Sequence, residues 1–311
     1  MSSSDAQAFV TEVQKQRGLP APAPVTSIDE LLDVLAGDQV QRFGNAEGLV
    51  AGKPGIDAMS LHASLELAWS DDFSTLALIL GELAKRADVE VKRLQTKGDA
   101  GTPLTDVEKK DLEQNQKNLE FNIKAKSACE TLAQDHLRAG GQVVAEANRQ
   151  FPKDPMTYRV AAYYALLAGQ WLEFDAAIGK LKDEEAKDAG LTYLRGLESL
   201  SRFAVRKDAA THFAAALQLN PKMARAQAKL MLVEGEIDAK YAEFEKLKAL
   251  APQHPIVWLA GPSVTSDYEL SASFRKARAV RQPAAAEAPA APAAPAAPAV
   301  APAAPPAAAA P

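Results

Sequence analysis

The sequence predicts an all-α fold of stacked helix pairs, with one long helical hairpin and disordered termini. Apolar residues between positions 27 and 282 recur at steps of three and four, the period of a helix that buries one side. β-Branched residues never cluster into the alternating runs that are typical of strands. In the second half of the chain, prolines and small residues recur at intervals of about 34 residues, which is typical of a helical repeat.

Composition excludes several classes of protein. The 311 residues include 35 basic and 40 acidic side chains, a formal net charge of -5 and one cysteine, and no apolar run is long enough to cross a bilayer. A disulfide scaffold, a membrane-spanning protein and a strongly basic nucleic-acid binder are therefore not expected. The first residues lack a secretion signal, which favours the cytoplasm. The alternative is a periplasmic or lipid-anchored protein whose signal has been removed, because a polar run such as Ser2–Ser4 also follows the lipid-carrying cysteine of mature lipoproteins.

Both ends of the chain are predicted to lie outside the core. Ser4 and Gln7 form a capping box for a short helix over residues 5–17, and a Pro/Ala spacer completes a first segment of residues 1–26. The helix is interpreted as a frayed terminus or as a tethered docking helix. Residues 283–311 contain eighteen Ala and nine Pro, too closely alternated for a helix to propagate, and are predicted to be a disordered tail. Such a tail is a spacer or a Pro-rich ligand.

Residues 27–139 are predicted to form an N-terminal helical lobe. Ser27 and Glu30 cap a first helix that ends at Gly37, and a second helical stretch begins near Met59. A glycine-containing turn at 97–103 and a capping box at Thr105 then divide two long helices, so a hairpin is predicted over about residues 71–139. The first of its helices carries the most regular apolar stripe in the chain, formed by Phe73, Leu76, Leu80, Leu83, Ala87, Val91 and Leu94.

Residues 140–282 contain an internal repeat. Its clearest unit ends with Ala209, Phe213, Ala216 and Pro221, in which small residues flank an aromatic residue on one helical face. The same offsets recur at Gly140, Val144, Ala147 and Pro152, at Phe174, Ile178, Leu181 and Ala186, and at Lys240, Phe244, Leu247 and Pro252. Residues 152–158 and 252–258 also share their proline spacing and end on Tyr158 and Trp258.

These patterns resemble the tetratricopeptide repeat (TPR), most closely over residues 140–258 and more loosely over 57–139. The chain departs from the family in three places: Gly196 fits only with a one-residue insertion, Ala228 stands where the family has Gly, and Pro262 cuts the last unit short. Residues 264–281 are then predicted to be a capping helix with Tyr268, Leu270 and Phe274 turned inward.

The resemblance implies a concave binding face built from the first helix of each pair. Carried over residue by residue, it implies that the face is lined by Arg159, Tyr163, Tyr193, Leu197, Arg225 and Lys229. Their chemistry suits a protein or peptide partner with an acidic segment or a C-terminal carboxylate. The family's carboxylate-clamping members pair their basic residues with Asn, and no Asn occurs at these positions, so that particular clamp is not predicted.

Sequence motifs for chemistry are weak. Residues 48–54 resemble a phosphate-binding loop but lack its spacing and its Ser or Thr. Cys129 and His136 lie two helical turns apart, and a buried structural thiol and a partly exposed His are expected. The acidic pair Asp71–Asp72 is interpreted as an ordinary helix end. We therefore expect no enzyme, no metal and no cofactor.

The sequence thus predicts a noncatalytic adaptor or scaffold that binds protein segments on a helical-repeat surface. Two alternatives remain open at this stage. One is a cell-envelope protein, lipid-anchored or periplasmic, that assists the assembly of a surface or secretion machine. The other is a regulatory subunit of an enzyme or a signalling complex.

Overall fold

The computed structural model describes residues 55–252 and 254–281, and within these ranges every regular element is a helix. The prediction of an all-α fold is therefore confirmed. The ten described helices are α1 (Ile56–Asp99), α2 (Asp106–Gln150), α3 (Pro155–Leu167), α4 (Trp171–Gly179), α5 (Lys182–Glu185), α6 (Ala189–Ser201), α7 (Arg206–Leu219), α8 (Ala224–Val233), α9 (Ile237–Leu250) and α10 (Pro255–Arg281). The predicted helices at 5–17 and 27–37, the loop at 48–54 and the tail at 283–311 lie outside the described residues.

The two longest helices, α1 and α2, pack along each other. They have 44 and 45 residues and are joined by the predicted turn. The predicted capping box is confirmed, because the Thr105 side chain accepts a hydrogen bond from the Glu108 backbone N–H and Glu108 accepts one from Thr105 N–H. Glu108 also binds Lys97 across the turn at 2.5 Å, and these contacts lower the pKa of Glu108 to about 2. Ion pairs one turn apart, such as Lys92 with Asp88, occur along the exposed surface of the two helices.

The helix boundaries differ from the prediction in two places. Asp71 and Asp72 were expected at a helix end, but α1 runs through them without interruption. The second helix of the predicted hairpin was expected to end near residue 139, but α2 continues through Gly140 and Gly141 to Gln150. The glycines serve packing instead: a Cβ at Gly140 would lie 2.9 Å from Leu67 Cδ2, and one at Gly141 would lie 2.6 Å from Tyr164 Cε2.

Helices α3 to α9 pack in chain order. The strongest contacts join α3 to α4, α6 to α7, α7 to α8 and α8 to α9, while α3 also packs on α1 and α2. The small and aromatic positions of the clearest repeat unit are buried: Ala209, Phe213 and Ala216 are fully inaccessible. In the last unit, Leu247 is fully inaccessible and Phe244 nearly so, whereas Lys240 is half-buried. Small side chains at these positions let neighbouring helices approach closely around the aromatic rings.

The C-terminal helix α10 also differs from the prediction. It begins at Pro255 and continues through Pro262, although Pro262 was expected to end the last repeat and a separate helix was expected over 264–281. By the density of contacts between residues, the chain divides into two compact units, and the second unit begins at Glu269. In that unit Leu270 and Phe274 are exposed rather than turned inward. Before the boundary, Tyr268 stacks on Tyr241 with ring centroids 4.0 Å apart.

Gly196 provides a test of this close packing. A Cβ at this position of α6 would lie 2.4 Å from Phe213 Cε1 on α7, and Phe213 is fully buried, so the ring or the helix would have to shift. We expect Gly196→Ala to lower the free energy of unfolding by about 1–3 kcal/mol, because overpacking forces side chains and backbone out of their minima. Urea unfolding followed by far-ultraviolet circular dichroism measures the change.

The matched control is Gly98→Ala, also within a helix. A Cβ there would meet nothing within 4 Å, so this variant should be neutral or more stable by up to about 1 kcal/mol, as expected when Ala replaces Gly in a helix. Equal free energies of unfolding for the two variants would contradict the close packing of α6 on α7.

Candidate functional site

The residues implied by the TPR resemblance lie on three helices that face α1. Arg159 and Tyr163 belong to α3, Tyr193 and Leu197 to α6, and Arg225 and Lys229 to α8. They do not line an open surface: Tyr193 and Leu197 are only 2% and 4% exposed. The side chain of Lys229 is 12% exposed, and the side chain of Arg225 is 24% exposed. Partner binding by this set therefore stays a prediction, and the described structure shows what contacts it now.

The residues that fill this face come from the middle of α1. Arg225 donates from Nε and Nη2 to the two carboxylate oxygens of Asp72, at 3.1 and 3.0 Å. Lys229 donates from Nζ to Asp71 Oδ1 at 2.7 Å, and Tyr193 donates its hydroxyl to Asp71 Oδ2 at 2.5 Å. We call these five residues the Asp71–Asp72 junction. It balances two carboxylates against two cations.

Further contacts surround the Asp71–Asp72 junction. Thr75, one turn along α1, accepts a hydrogen bond from Lys229 Nζ at 2.5 Å and donates to the Asp71 carbonyl oxygen at 2.8 Å. Next to the junction, Phe73, Leu76, Ile79 and Leu80 of α1 share one buried cluster with Ala228, Met231, Phe244 and Leu247 of α8 and α9. The α1–α2 pair is therefore held on the shorter helices by both charge pairing and apolar burial.

Burial and pairing have opposite effects on the charges. Burial is the largest influence on Asp72 and raises its pKa, but the charges of Arg225, His254 and Lys229 outweigh it, so the pKa of Asp72 lies below its ordinary value. Burial likewise disfavours charge on Arg225, yet pairing with Asp72 holds the pKa of its guanidinium well above the ordinary value. Both groups are thus ionised in the folded protein near neutral pH. Neither can lose its partner without leaving a buried charge uncompensated.

Tyr193 of the Asp71–Asp72 junction and the neighbouring Tyr163 have different environments. Burial raises the pKa of both, so both hydroxyls are neutral donors. The Tyr193 hydroxyl is used in the bond to Asp71, whereas the Tyr163 hydroxyl is buried and makes no hydrogen bond within the described residues. Tyr193 therefore contributes a charge-assisted hydrogen bond, and Tyr163 contributes a ring with an unsatisfied polar atom.

Arg159 lies at the edge of the same face. Its Nη2 contacts Asp188 at 2.6 Å and Glu184 at 3.4 Å, both from the segment between α4 and α6. About a third of its side chain is exposed, which makes it the most accessible charged member of the implied set. Its guanidinium is already paired, so an outside carboxylate would have to compete with these contacts.

The sequence prediction missed Asp71 and Asp72 as members of the site. They were interpreted as a solvated helix end because acidic pairs are common there. A signal was present: Asp72 lies four residues before Leu76 and eight before Leu80, in phase with the apolar stripe of α1. A carboxylate in phase with a buried stripe must find a cation inside the protein.

Groups that could support catalysis have structural roles here. Cys129 is fully buried as predicted, and burial raises its pKa to about 12. His136 lies within 2.7 Å of Glu66 across the α1–α2 pair, with its ring packed against Trp69 and Phe73. In the part of the chain that the structure describes, no group of three or more His, Cys, Asp or Glu side chains could hold a metal ion, and no helix is long and apolar enough to cross a membrane.

Comparison with known proteins finds no relative from which a function could be inferred. No family model matches the chain, and no curated protein or solved structure is similar enough to it to indicate a relationship. The TPR resemblance consequently rests on the residue pattern alone.

The pairing of Asp72 with Arg225 can be measured against an exposed pair of the same chemistry. In a double-mutant cycle with Asp72→Ala and Arg225→Ala, we expect each single change to lower the free energy of unfolding by about 3–5 kcal/mol, since each leaves a buried charge alone. The double variant should lose less than the sum, with a coupling energy of up to about 3 kcal/mol.

The matched control is Arg86 with Asp267, which also makes two contacts, at 3.1 and 2.8 Å, but has side chains that are 57% and 40% exposed. Its cycle should give a coupling energy below about 1 kcal/mol because water screens the pair. The same coupling energy in both cycles would show that Asp72 and Arg225 are not a buried pair.

The tyrosines provide a second test. Tyr193→Phe should lower the free energy of unfolding by about 1.5–3 kcal/mol, because it removes a hydrogen bond to a charged group. Tyr163→Phe removes only an unsatisfied hydroxyl and should be neutral or stabilising. Urea unfolding of both variants measures the difference, and a loss at Tyr163 as large as that at Tyr193 would overturn the assigned contacts.

Proposed function

We propose that this protein is a noncatalytic adaptor in which TPR-like antiparallel helix pairs, residues 155–250, hold a long helical hairpin formed by α1 and α2. One observation carries the proposal. The face that the TPR resemblance assigns to ligand binding contacts an acidic helical segment, and that segment belongs to the same chain. The face has the chemistry of a peptide-binding surface and is engaged in holding the hairpin.

The free energy gained by burying α1 side chains favours a permanent contact between α1 and the face that the TPR resemblance assigns to binding. Full burial of a large apolar side chain contributes about 1.5–3 kcal/mol. Phe73, Leu76 and Leu80 divide this burial between α2 and the shorter helices, because residues of both belong to the same cluster. A peptide bound with micromolar affinity gains about 8 kcal/mol. Such a peptide would also have to replace the contacts of the Asp71–Asp72 junction. Partners of ordinary affinity are therefore expected to bind outside the inner face.

The outer part of the hairpin is the surface we assign to a partner. Val89 on α1 and Val107 on α2 are 66% and 68% exposed, whereas Val91 and Leu94 are buried between the two helices. The exposed valines do not contribute to the core, and they lie among charged side chains that are mostly paired within one helix. Each valine is thus an exposed apolar side chain with polar neighbours, which is typical of contact positions in a protein interface. No described contact favours the envelope or the regulatory-subunit alternative over an adaptor.

The experiment is affinity capture from the source cells with the tagged full-length chain and two surface variants. Val89→Glu with Val107→Glu should reduce recovery of the partner by about tenfold or more, because each change places a charge where an apolar side chain would be buried by the partner. Arg159→Glu, at the edge of the inner face, should leave recovery unchanged. Val89 and Val107 are exposed, whereas Arg159 is about a third exposed and pairs with Asp188. Unchanged urea midpoints are therefore required of both variants to show that the fold is retained.

Two results would contradict the proposal. Loss of the partner with Arg159→Glu and retention with the valine variant would place binding at the inner face. If the wild-type chain recovers no partner in stoichiometric amount, the adaptor function itself is wrong.

A further inference from the structure

The last part of α10 carries two large apolar side chains that no described residue covers. Residues 269–281 belong to the second compact unit of the chain, which begins at Glu269. Leu270 is 57% exposed and Phe274 is 67% exposed. The two residues are four positions apart, so they lie on one side of the helix. An exposed leucine and phenylalanine that stand together on one helix face are a candidate surface for a partner.

Basic residues follow this apolar pair. Arg275 and Lys276 are exposed, and the sequence adds Arg278 and Arg281 before α10 ends. Residues 269–281 contain these four basic residues and one acidic residue, Glu269, so their formal charge is +3, whereas that of the whole chain is -5. The end of α10 therefore has a charge opposite to that of the protein as a whole.

The neighbouring sequence does not cancel this positive charge. The nearest preceding acidic residue, Asp267, already accepts two hydrogen bonds from Arg86, at 3.1 and 2.8 Å. Residues 282–311 contain one charged residue, Glu287. The segment that carries the exposed apolar pair thus keeps a net positive charge when the residues on both sides are counted, and it attracts anionic partners.

The apolar pair and the basic residues point in different directions around the helix. Successive residues of an α-helix are about 100° apart, so Arg275 lies about 100° and Lys276 about 160° round the axis from Phe274. Leucine and phenylalanine on one side, with basic residues on the other, are typical of a helix that lies in the interface of a membrane. There the apolar side chains enter the acyl region, and the basic side chains stay among the lipid headgroups.

Two features favour a lipid surface over a groove in another protein. A helix that binds in a groove has apolar anchors over several consecutive turns. Here the turn before the pair supplies Ser266 and Asp267, and the turn after it supplies Ala277 and Arg278. The second feature is that arginine and lysine side chains are long enough to bend toward headgroups from several directions. Two anchors with a dispersed positive charge suit a fluid anionic surface better than a shaped cleft.

The two contributions have to act together. A basic residue held close to an anionic membrane strengthens binding by about fivefold. A small apolar insertion by itself gives only weak and reversible attachment, and stable attachment needs a second signal such as a group of basic residues. Residues 269–281 supply both signals within about three and a half helical turns.

We propose that residues 269–281 bind the surface of a membrane that contains anionic lipids, with Leu270 and Phe274 inserted among the acyl chains and the basic residues at the headgroups. The inference does not depend on the adaptor function, because neither Val89 nor Val107 takes part in it. It assigns the end of α10 as a peripheral membrane anchor.

Sedimentation of the full-length chain with lipid vesicles tests the proposal. The chain should sediment with vesicles of phosphatidylserine and phosphatidylcholine in a ratio of about 3:7 and not with phosphatidylcholine alone. Binding should weaken in about 0.5 M NaCl, because salt screens the charges. Leu270→Ser with Phe274→Ser should lower the partition coefficient at least about tenfold, since apolar burial is lost. Arg275→Gln with Lys276→Gln should lower it about 25-fold, which is about fivefold for each charge.

Two double variants elsewhere in the chain are matched controls. Leu172→Ser with Phe203→Ser also replaces a leucine and a phenylalanine, which are 81% and 57% exposed. Lys246→Gln with Lys248→Gln also removes two positive charges, from α9 side chains that are 63% and 55% exposed. Both controls should bind the vesicles as the unchanged chain does. Unchanged urea midpoints for all four variants would show that the fold is retained.

Three results would overturn the proposal. The first is a chain that does not sediment with the phosphatidylserine vesicles at low salt. The second is an equal loss of binding in the control variants and in the α10 variants, because binding would then not depend on this helix. The third is retention of the chain by immobilised poly-glutamate, lost in Arg275→Gln with Lys276→Gln, without sedimentation on vesicles. That result would assign the surface to an acidic protein segment instead.

Discussion

Two carboxylates buried against an arginine and a lysine connect the α1–α2 pair to the shorter helices of this protein. Asp71 and Asp72 are on one helix, and their partners Arg225, Lys229 and Tyr193 are on two others, more than a hundred residues away in sequence. A charge in a buried site is tolerated only when it is paired and hydrogen-bonded. The carboxylates of α1 therefore neutralise the cations of the shorter helices, and the cations neutralise the carboxylates. This pairing fixes where along α1 the shorter helices can pack.

Close packing of aromatic rings on small residues complements this polar contact. Phe213 packs against Gly196, and Phe244 packs against Gly261, at distances that leave no room for a Cβ. Contacts of this kind set how closely consecutive helices approach, whereas the charges set their register against α1. The residues that the TPR resemblance implies for binding are thus largely in contact with α1, whereas Val89 and Val107 are exposed. That distribution is why we propose that other proteins are recognised by the outer part of the hairpin.

The sequence predicted the class of fold and many of its local features. The all-α class, the turn between α1 and α2, the capping box at Thr105 and the burial of Phe213 and Cys129 each follow from patterns within a few residues of one another. Helix ends were predicted less well. Acidic residues, glycines and prolines all favour helix termini in isolation, but Asp71–Asp72, Gly140–Gly141 and Pro262 lie inside helices. Tertiary contacts supply carboxylate partners to the first of these groups and close packing to the second, which local propensity does not include.

By itself, the sequence determined where helices form and which residue types could bind a carboxylate, because both depend on periodicity and on side-chain chemistry that are visible locally. The resemblance to the TPR implied Arg225, Lys229 and Tyr193 as residues that would suit an acidic ligand. Only the tertiary structure decided that the carboxylates come from Asp71 and Asp72 of the same chain. The physical reason is that a local pattern specifies a helix face and its charge, whereas the partner of that face is chosen by long-range packing that brings distant segments together.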